Sequence, residues 1–180
     1  MPTVMTHAVV GLTAGTLAPF RRRPLLFWLL SAALPMLPDL DVLGLQLGVR
    51  FMGMWGHRGI SHSFVGAIVI GLIAAALTYR PLGARLMPLA CYFAIITASH
   101  GVFDALTNGG PGVAFWAPFD NTRYFLPWRP IPVSPLARNF FSEWGWHVFR
   151  MELLLIWGPC ALIAMARRGS WRGVRGTRAP

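Results

Sequence analysis

Five stretches of the chain are nearly free of charge: about Val4 to Phe20, Pro24 to Leu37, Phe64 to Tyr79, Leu86 to about Leu106, and about Met151 to Ala166. Uncharged apolar runs of this length read as helices in a bilayer, which takes roughly 20 residues to cross. Several of the five are shorter than that. The first two are the weakest as independent spans, and Pro38 closes the second. The pattern predicts an all-α, polytopic membrane helix bundle of about five apolar helices.

Residues 107–149 break the pattern. Six prolines between Pro111 and Pro135 exclude long helices and central strands there. Abundant aromatic residues argue against disorder. An ordered, Pro- and aromatic-rich cap at the membrane interface is expected, with Arg123 and Arg129 facing solvent or, alternatively, lipid headgroups. Residues 1–166 then form one membrane-embedded domain. The Arg- and Gly-rich stretch 167–180 is expected to be a disordered cytoplasmic tail.

Composition agrees. The chain is 55% hydrophobic and 12% charged, against about 25% charged residues in soluble domains. Cys91 and Cys160 fall inside apolar runs and read as small core residues. The net charge is +10, and every basic residue is arginine. Such charge can serve nucleic acid. Here the arginines gather at the ends of apolar runs, which fits topology signals and anionic lipid better. The expected partner is therefore the lipid bilayer, with no nucleic acid.

The placement of the arginines sets an expected topology. Arg21 to Arg23, Arg80 with Arg85, and the cluster from Arg167 onward fall on one side if all five runs span. The positive-inside rule makes that side cytoplasmic. Nothing basic precedes the first run, which favours an uncleaved helix with its N-terminus outside. All five histidines and all six acids then lie on or near the outer side.

That sorting brings metal-ligand residue types together. Asp39 and Asp41 are two apart, so in an extended stretch both would face one spot. Two such carboxylates repel unless a cation joins them. His100 and Asp104 are four apart on a helix, as paired ligands require. Ionisable groups at membrane depth are costly and default to functional candidates. Thr107 extends their face. His7 shares a stripe with Gly11 and Gly15, small residues that let helices approach closely. His57 and His62 lie in a Gly-flanked loop, with Ser61 or Ser63 capping the following helix. Arg58 between them suits an anion. Glu143, His147 and Glu152 are candidates of second rank. The bland alternative for each is a buried polar contact or a loop.

The segments "MTHAVVG" at 5–11, "PDLD" at 38–41, "GHRGISHS" at 56–63, "SHGVFDALTNGG" at 99–110 and "APFDNTRYFLPWRPIPVSP" at 117–135 carry a resemblance. Together they resemble the bacterial membrane-bound metal-dependent hydrolases of the YdjM/YbcI type. That family usually has Thr where this chain has Ser61. The resemblance implies a multi-pass inner-membrane protein. It implies metal ligands at His7, Asp39, Asp41, His57, His62, His100 and Asp104.

The expected activity is hydrolysis of an ester or phosphoester, with a lipid as one candidate substrate, near the outer face. Mixed His and Asp donors suit Zn²⁺, with Mn²⁺ or another transition metal as alternatives. Arg58 is expected to steady the developing anion, and Asp41 or Asp104 to act as general base. The rival expectation is a non-enzymatic membrane protein with a structural, transport or sensing metal site.

Overall fold

The computed structural model describes residues 1–135 and 140–176. Among them there is no strand, and the chain is helical as its apolar runs predict. Helix α1 is Val4–Leu17 and α2 is Leu25–Ala33. A 3₁₀ segment, Leu34–Asp41, continues α2 into the short helix α3, Val42–Gln46. Helix α4 is Phe64–Thr78 and α5 is Leu86–Ala105. Helix α6, Glu143–Glu152, runs through a π-helical turn, Leu153–Trp157, into α7, Gly158–Gly176.

Three stretches are long and apolar enough to cross a membrane: Leu25–Gln46, Leu86–Ala105 and Glu143–Arg167. The second apolar run therefore does not stop at Pro38. Proline deprives a helix of one N–H but does not forbid a 3₁₀ path, so the rod continues to Gln46. Helix α7 likewise runs on to Gly176, into the stretch expected to be a disordered tail. The end of that stretch, 177–180, lies outside the described residues, as do 136–139 of the expected cap.

Large aliphatic side chains such as Leu72, Ile73 and Ile95 stay exposed in mid-helix, as does Leu154 in the π turn. Such a surface suits hydrocarbon and not water. Cys91 is exposed as well, and so is not the core residue expected. The core lies on the inner faces, around Phe27, Leu34, Leu82, Leu89, Phe93 and Ile96. Small residues permit the tightest contacts. A Cβ on Gly71 of α4 would lie 2.5 Å from the Ala94 nitrogen of α5.

Gly11 plays the same part between α1 and α2. A Cβ there would run into the Ser31 carbonyl and lie 2.7 Å from Pro35 Cγ. Both obstacles sit on rigid backbone or ring atoms, so the helices would have to separate. Gly11→Ala is expected to destabilise the chain by about 1–3 kcal/mol, the usual range for overpacking. It should also move His7, one turn away on the same buried face. Thermal unfolding in detergent checks the first effect. A melting temperature unchanged from wild type would refute the close approach.

Two polar networks fasten the helix ends. Arg23 donates to the carbonyls of Thr16, Ala18 and Phe20, satisfying the open C-terminus of α1. Glu152, fully buried, accepts from the Thr3 N–H at 2.7 Å, from the Thr3 hydroxyl, and from the Thr6 hydroxyl at 2.6 Å. Trp157 Nε1 also donates to the Thr6 hydroxyl at 2.7 Å. Glu152 thus ties α1 to the π turn and is not a metal-ligand candidate. Glu143 and His147 are exposed on α6 and do not join the other candidates.

The segment from 107 to 135 is ordered and irregular, held by two isolated backbone pairings, Thr107 with Ile131 and Val113 with Tyr124. Val113, Ala114, Ala117 and Ile131 are buried within it. Arg123 donates to the carbonyls of His57 and Gly53, at 2.9 and 3.2 Å, and so fixes the cap to the 47–63 connection instead of facing solvent or lipid. Arg129 stacks over the Phe125 ring, 4.9 Å from its centroid.

Candidate metal centre

The structure brings all seven expected ligand residues to one end of the bundle. Helix α1 supplies His7, and the 3₁₀ segment supplies Asp39 and Asp41. The 47–63 connection supplies His57 and His62, and the last turns of α5 supply His100 and Asp104. All are buried except Asp41, which is half-buried.

Asp39 and Asp41 do not face one spot. A 3₁₀ helix has three residues per turn, so positions two apart diverge by about 120°. Asp39 turns inward and Asp41 toward the loop. This divides the residues into two groups that share His62.

The inner group is Asp39, His62, His100 and Asp104. The Nε2 atoms of His62 and His100 are 3.0 Å apart. Asp39 Oδ1 lies 3.3 Å from His100 Nε2 and 3.6 Å from His62 Nε2. Asp104 Oδ2 lies 3.8 and 3.6 Å from the same two nitrogens. Four donors about 2.0–2.1 Å from a tetrahedral Zn²⁺ stand roughly 3.3 Å from one another. The observed separations bracket that value.

The tautomers follow from the far side of each ring. His100 Nδ1 is 2.7 Å from the Pro35 carbonyl, which can only accept, so it donates there. That carbonyl is open because its 3₁₀ partner three residues on, Pro38, has no N–H. His62 Nδ1 is 3.0 Å from the Ser61 hydroxyl and 3.1 Å from Asp41 Oδ2; since Ser61 donates to Asp41 and the carboxylate can only accept, Nδ1 carries the proton. In the neutral rings both Nε2 lone pairs then point at one another across 3.0 Å. Only a cation or a proton between them relieves that. Both oxygens of Asp39 and both of Asp104 are buried without a hydrogen-bond partner, as is His7 Nε2. Asp104 Oδ2 has an ion pair with Arg58, and Asp39 has, among the described residues, no cationic side chain other than the histidines beside it. Buried carboxylates left so would be costly. A divalent cation among these donors answers both problems, and the residues fit one.

The second group is Asp41, His57 and His62. Asp41 accepts from His57 Nδ1 at 2.8 Å, the Ser61 hydroxyl at 2.7 Å and the Arg58 N–H at 3.2 Å, and its Oδ2 lies 3.1 Å from His62 Nδ1. With its oxygens so engaged, Asp41 stands behind His62 and fixes the orientation of that ring, and it has little capacity left to accept a further proton. Ser63, not Ser61, caps α4, accepting from the Gly66 N–H at 3.0 Å. Ser61, a candidate cap by sequence, instead supports Asp41, a role its sequence position does not announce. A threonine hydroxyl could make the same bond.

Arg58 is buried, and its three guanidinium nitrogens are all engaged. Nε lies 3.0 Å from Asp104 Oδ2, Nη1 donates to the Gly109 carbonyl at 3.1 Å, and Nη2 to the Thr107 hydroxyl at 3.3 Å. Gly110 lies over the group, where a Cβ would be 2.7 Å from Nη1. Arg58 is therefore a strut from the cap to Asp104, which corrects the expectation of an open anion clamp. His7 stacks on His100, with centroids 3.8 Å apart, and its Nε2 is 3.6 Å from Asp104 Oδ1.

Burial pulls the His62 imidazolium down, but the Asp39 and Asp41 carboxylates outweigh it and push the pKa up to about 9. Near pH 7 the metal-free site therefore holds a proton on His62, which a metal must expel. Metal affinity is expected to rise about tenfold per pH unit until roughly pH 9 and then level off. For an ordinary histidine the rise would end near 6.5. Calorimetric titrations from pH 6 to 9.5 check this, and a plateau from pH 7 upward would exclude the protonated site.

A family model described as YdjM inner membrane protein matches residues 1–171. The inner membrane protein YbcI of Escherichia coli (strain K12) is 35% identical over 164 residues, which cover 91% of this chain and 95% of that protein. No solved structure matches.

Proposed function

The chain belongs to the YdjM inner membrane protein family, and from its buried donor cluster we propose that it is a membrane-embedded metal-dependent hydrolase acting on an ester or phosphoester. The observation that carries this reading is the pair of histidine Nε2 atoms 3.0 Å apart, enclosed by two buried carboxylates without hydrogen-bond partners. The arginine distribution supports an outer-face site.

Asp39, His62 and His100 would hold the ion, for which mixed nitrogen and oxygen donors favour Zn²⁺. When bound, it supplies Lewis acidity and brings the pKa of water toward neutrality. Asp41, held by Ser61 and His57, orients His62. The Pro35 carbonyl orients His100. Asp104 Oδ2 is paired with Arg58, and its Oδ1, which accepts no hydrogen bond, is the oxygen open to a proton, which assigns Asp104 the part of general base. Its Oδ1 faces His7 Nε2 at 3.6 Å, so His7 closes that side of the carboxylate. Arg58 positions Asp104 through Nε.

One observation favours a second reading, a structural or sensing metal site. All four inner donors are buried, and closed four-donor sites are the structural kind. The deciding experiment uses the full chain in mild detergent, metal-stripped and Zn²⁺- or Mn²⁺-loaded. Each form is assayed on bis-p-nitrophenyl phosphate, p-nitrophenyl esters and phospholipid vesicles. Hydrolysis that appears only on loading, and fails in His100→Ala, is the expected result. A stoichiometrically loaded chain inert toward all of them would replace the enzyme with the structural reading.

A further inference from the structure

The end of the bundle remote from the donor cluster carries a cavity of about 720 Å³, between the α1–α2 and α4–α5 turns. Phe20, Leu82 and Pro88 give it an apolar lining, and Arg21, Arg22 and Arg85 stand beside them. The two turns meet here, with Arg22 Cδ 3.9 Å from where a Gly83 Cβ would sit. The three arginines are exposed, and none has an ion-pair partner among the described residues. Neighbouring Arg23 differs, since its guanidinium is spent on the carbonyls that end α1.

No counter-charge is near. The six acids of the chain all belong to the other end. Asp39, Asp41 and Asp104 form the donor cluster, Asp120 is in the cap, and Glu143 and Glu152 are on α6. A topology signal needs only charge. It does not need a cavity with an apolar lining.

We propose that this cavity binds the phosphate-bearing headgroup of an anionic phospholipid from the leaflet that meets this end. The planar guanidinium fork matches phosphate oxygens. The volume lies within the roughly 300–1,000 Å³ of small-molecule sites, more than a bare phosphate needs. The apolar lining takes the glycerol backbone and first methylenes. Basic pockets between membrane helices hold lipid headgroups in this way.

The test titrates the full chain in detergent with phosphatidylglycerol and with phosphatidylcholine, counting bound lipid by native mass spectrometry. Wild type is expected to retain one phosphatidylglycerol per chain in preference to phosphatidylcholine. The R21Q/R22Q/R85Q variant should bind it roughly a hundredfold more weakly. R50Q/R129Q/R150Q removes equal charge at the other end and should bind like wild type. Equal losses in both variants would mean diffuse attraction and overturn the site. So would displacement of the lipid by equimolar inorganic phosphate, which would mark a free-anion site. Melting temperatures verify folding, and the single variants, each several-fold weaker, repeat the test should the triple variant not fold.

Discussion

His62→Ala, purified without chelator or histidine tag, is expected to carry no stoichiometric metal, against about one ion per wild-type chain. His62 is the residue the two groups share. Its Nε2 faces His100 and both inner carboxylates, and its Nδ1 anchors on Asp41. The substitution removes the one side chain common to both groups, so the inner set loses both a ligand atom and its tie through Nδ1 to the Asp41 side. Loss of a supporting residue alone costs roughly 10- to 100-fold in metal affinity, so loss of the ligand should take occupancy to background. Metal analysis on the two chains at matched melting temperature reads this directly. Wild type that stays empty even after reloading with Zn²⁺ or Mn²⁺ would remove the basis of both metal readings.

Asp104→Ala is expected to unfold far more easily, even with no metal present. Arg58 would be left with its charge buried and its carboxylate gone. Removing one partner of a buried ion pair costs about 3–5 kcal/mol. For a chain of this size that is a fall of roughly 6–20 °C in melting temperature. Replacing both partners, as in Arg58→Met/Asp104→Ala, should recover part of the loss. Measured on metal-free protein, the comparison separates the strut from any ligand role. A single variant melting within 2 °C of wild type would show that the ion pair holds nothing.

The helices were legible in the sequence because a bilayer demands long uncharged runs, and little else produces them. The candidate ligands were legible because His and Asp are expensive there. What the sequence hid were contacts set by geometry. Pro38 reads as a stop, yet the 3₁₀ path turns it into the reason the Pro35 carbonyl is open to His100. The spacing of Pro35 and Pro38 was the available signal, since a proline three residues on leaves a carbonyl without its 3₁₀ partner. Asp39 and Asp41 read as one pair only in an extended stretch, and the 3₁₀ turn splits them. The bonds from Thr3 and Thr6 to Glu152 span nearly the whole chain, and no local pattern announces them.

Arg58 also has a positive φ, 61°, in the left-handed region that costs a residue with a Cβ about 1–2 kcal/mol. Glycine would relieve the backbone but delete the strut. Lysine would keep the charge and lose the fork that reaches Asp104, Thr107 and Gly109 at once. The next position offers no more freedom, because a side chain at Gly59 would collide with the Met54 carbonyl. Position 58 therefore trades one loss for another: glycine, which eases the backbone, strands Asp104, and lysine, which keeps the charge, weakens the link to the cap.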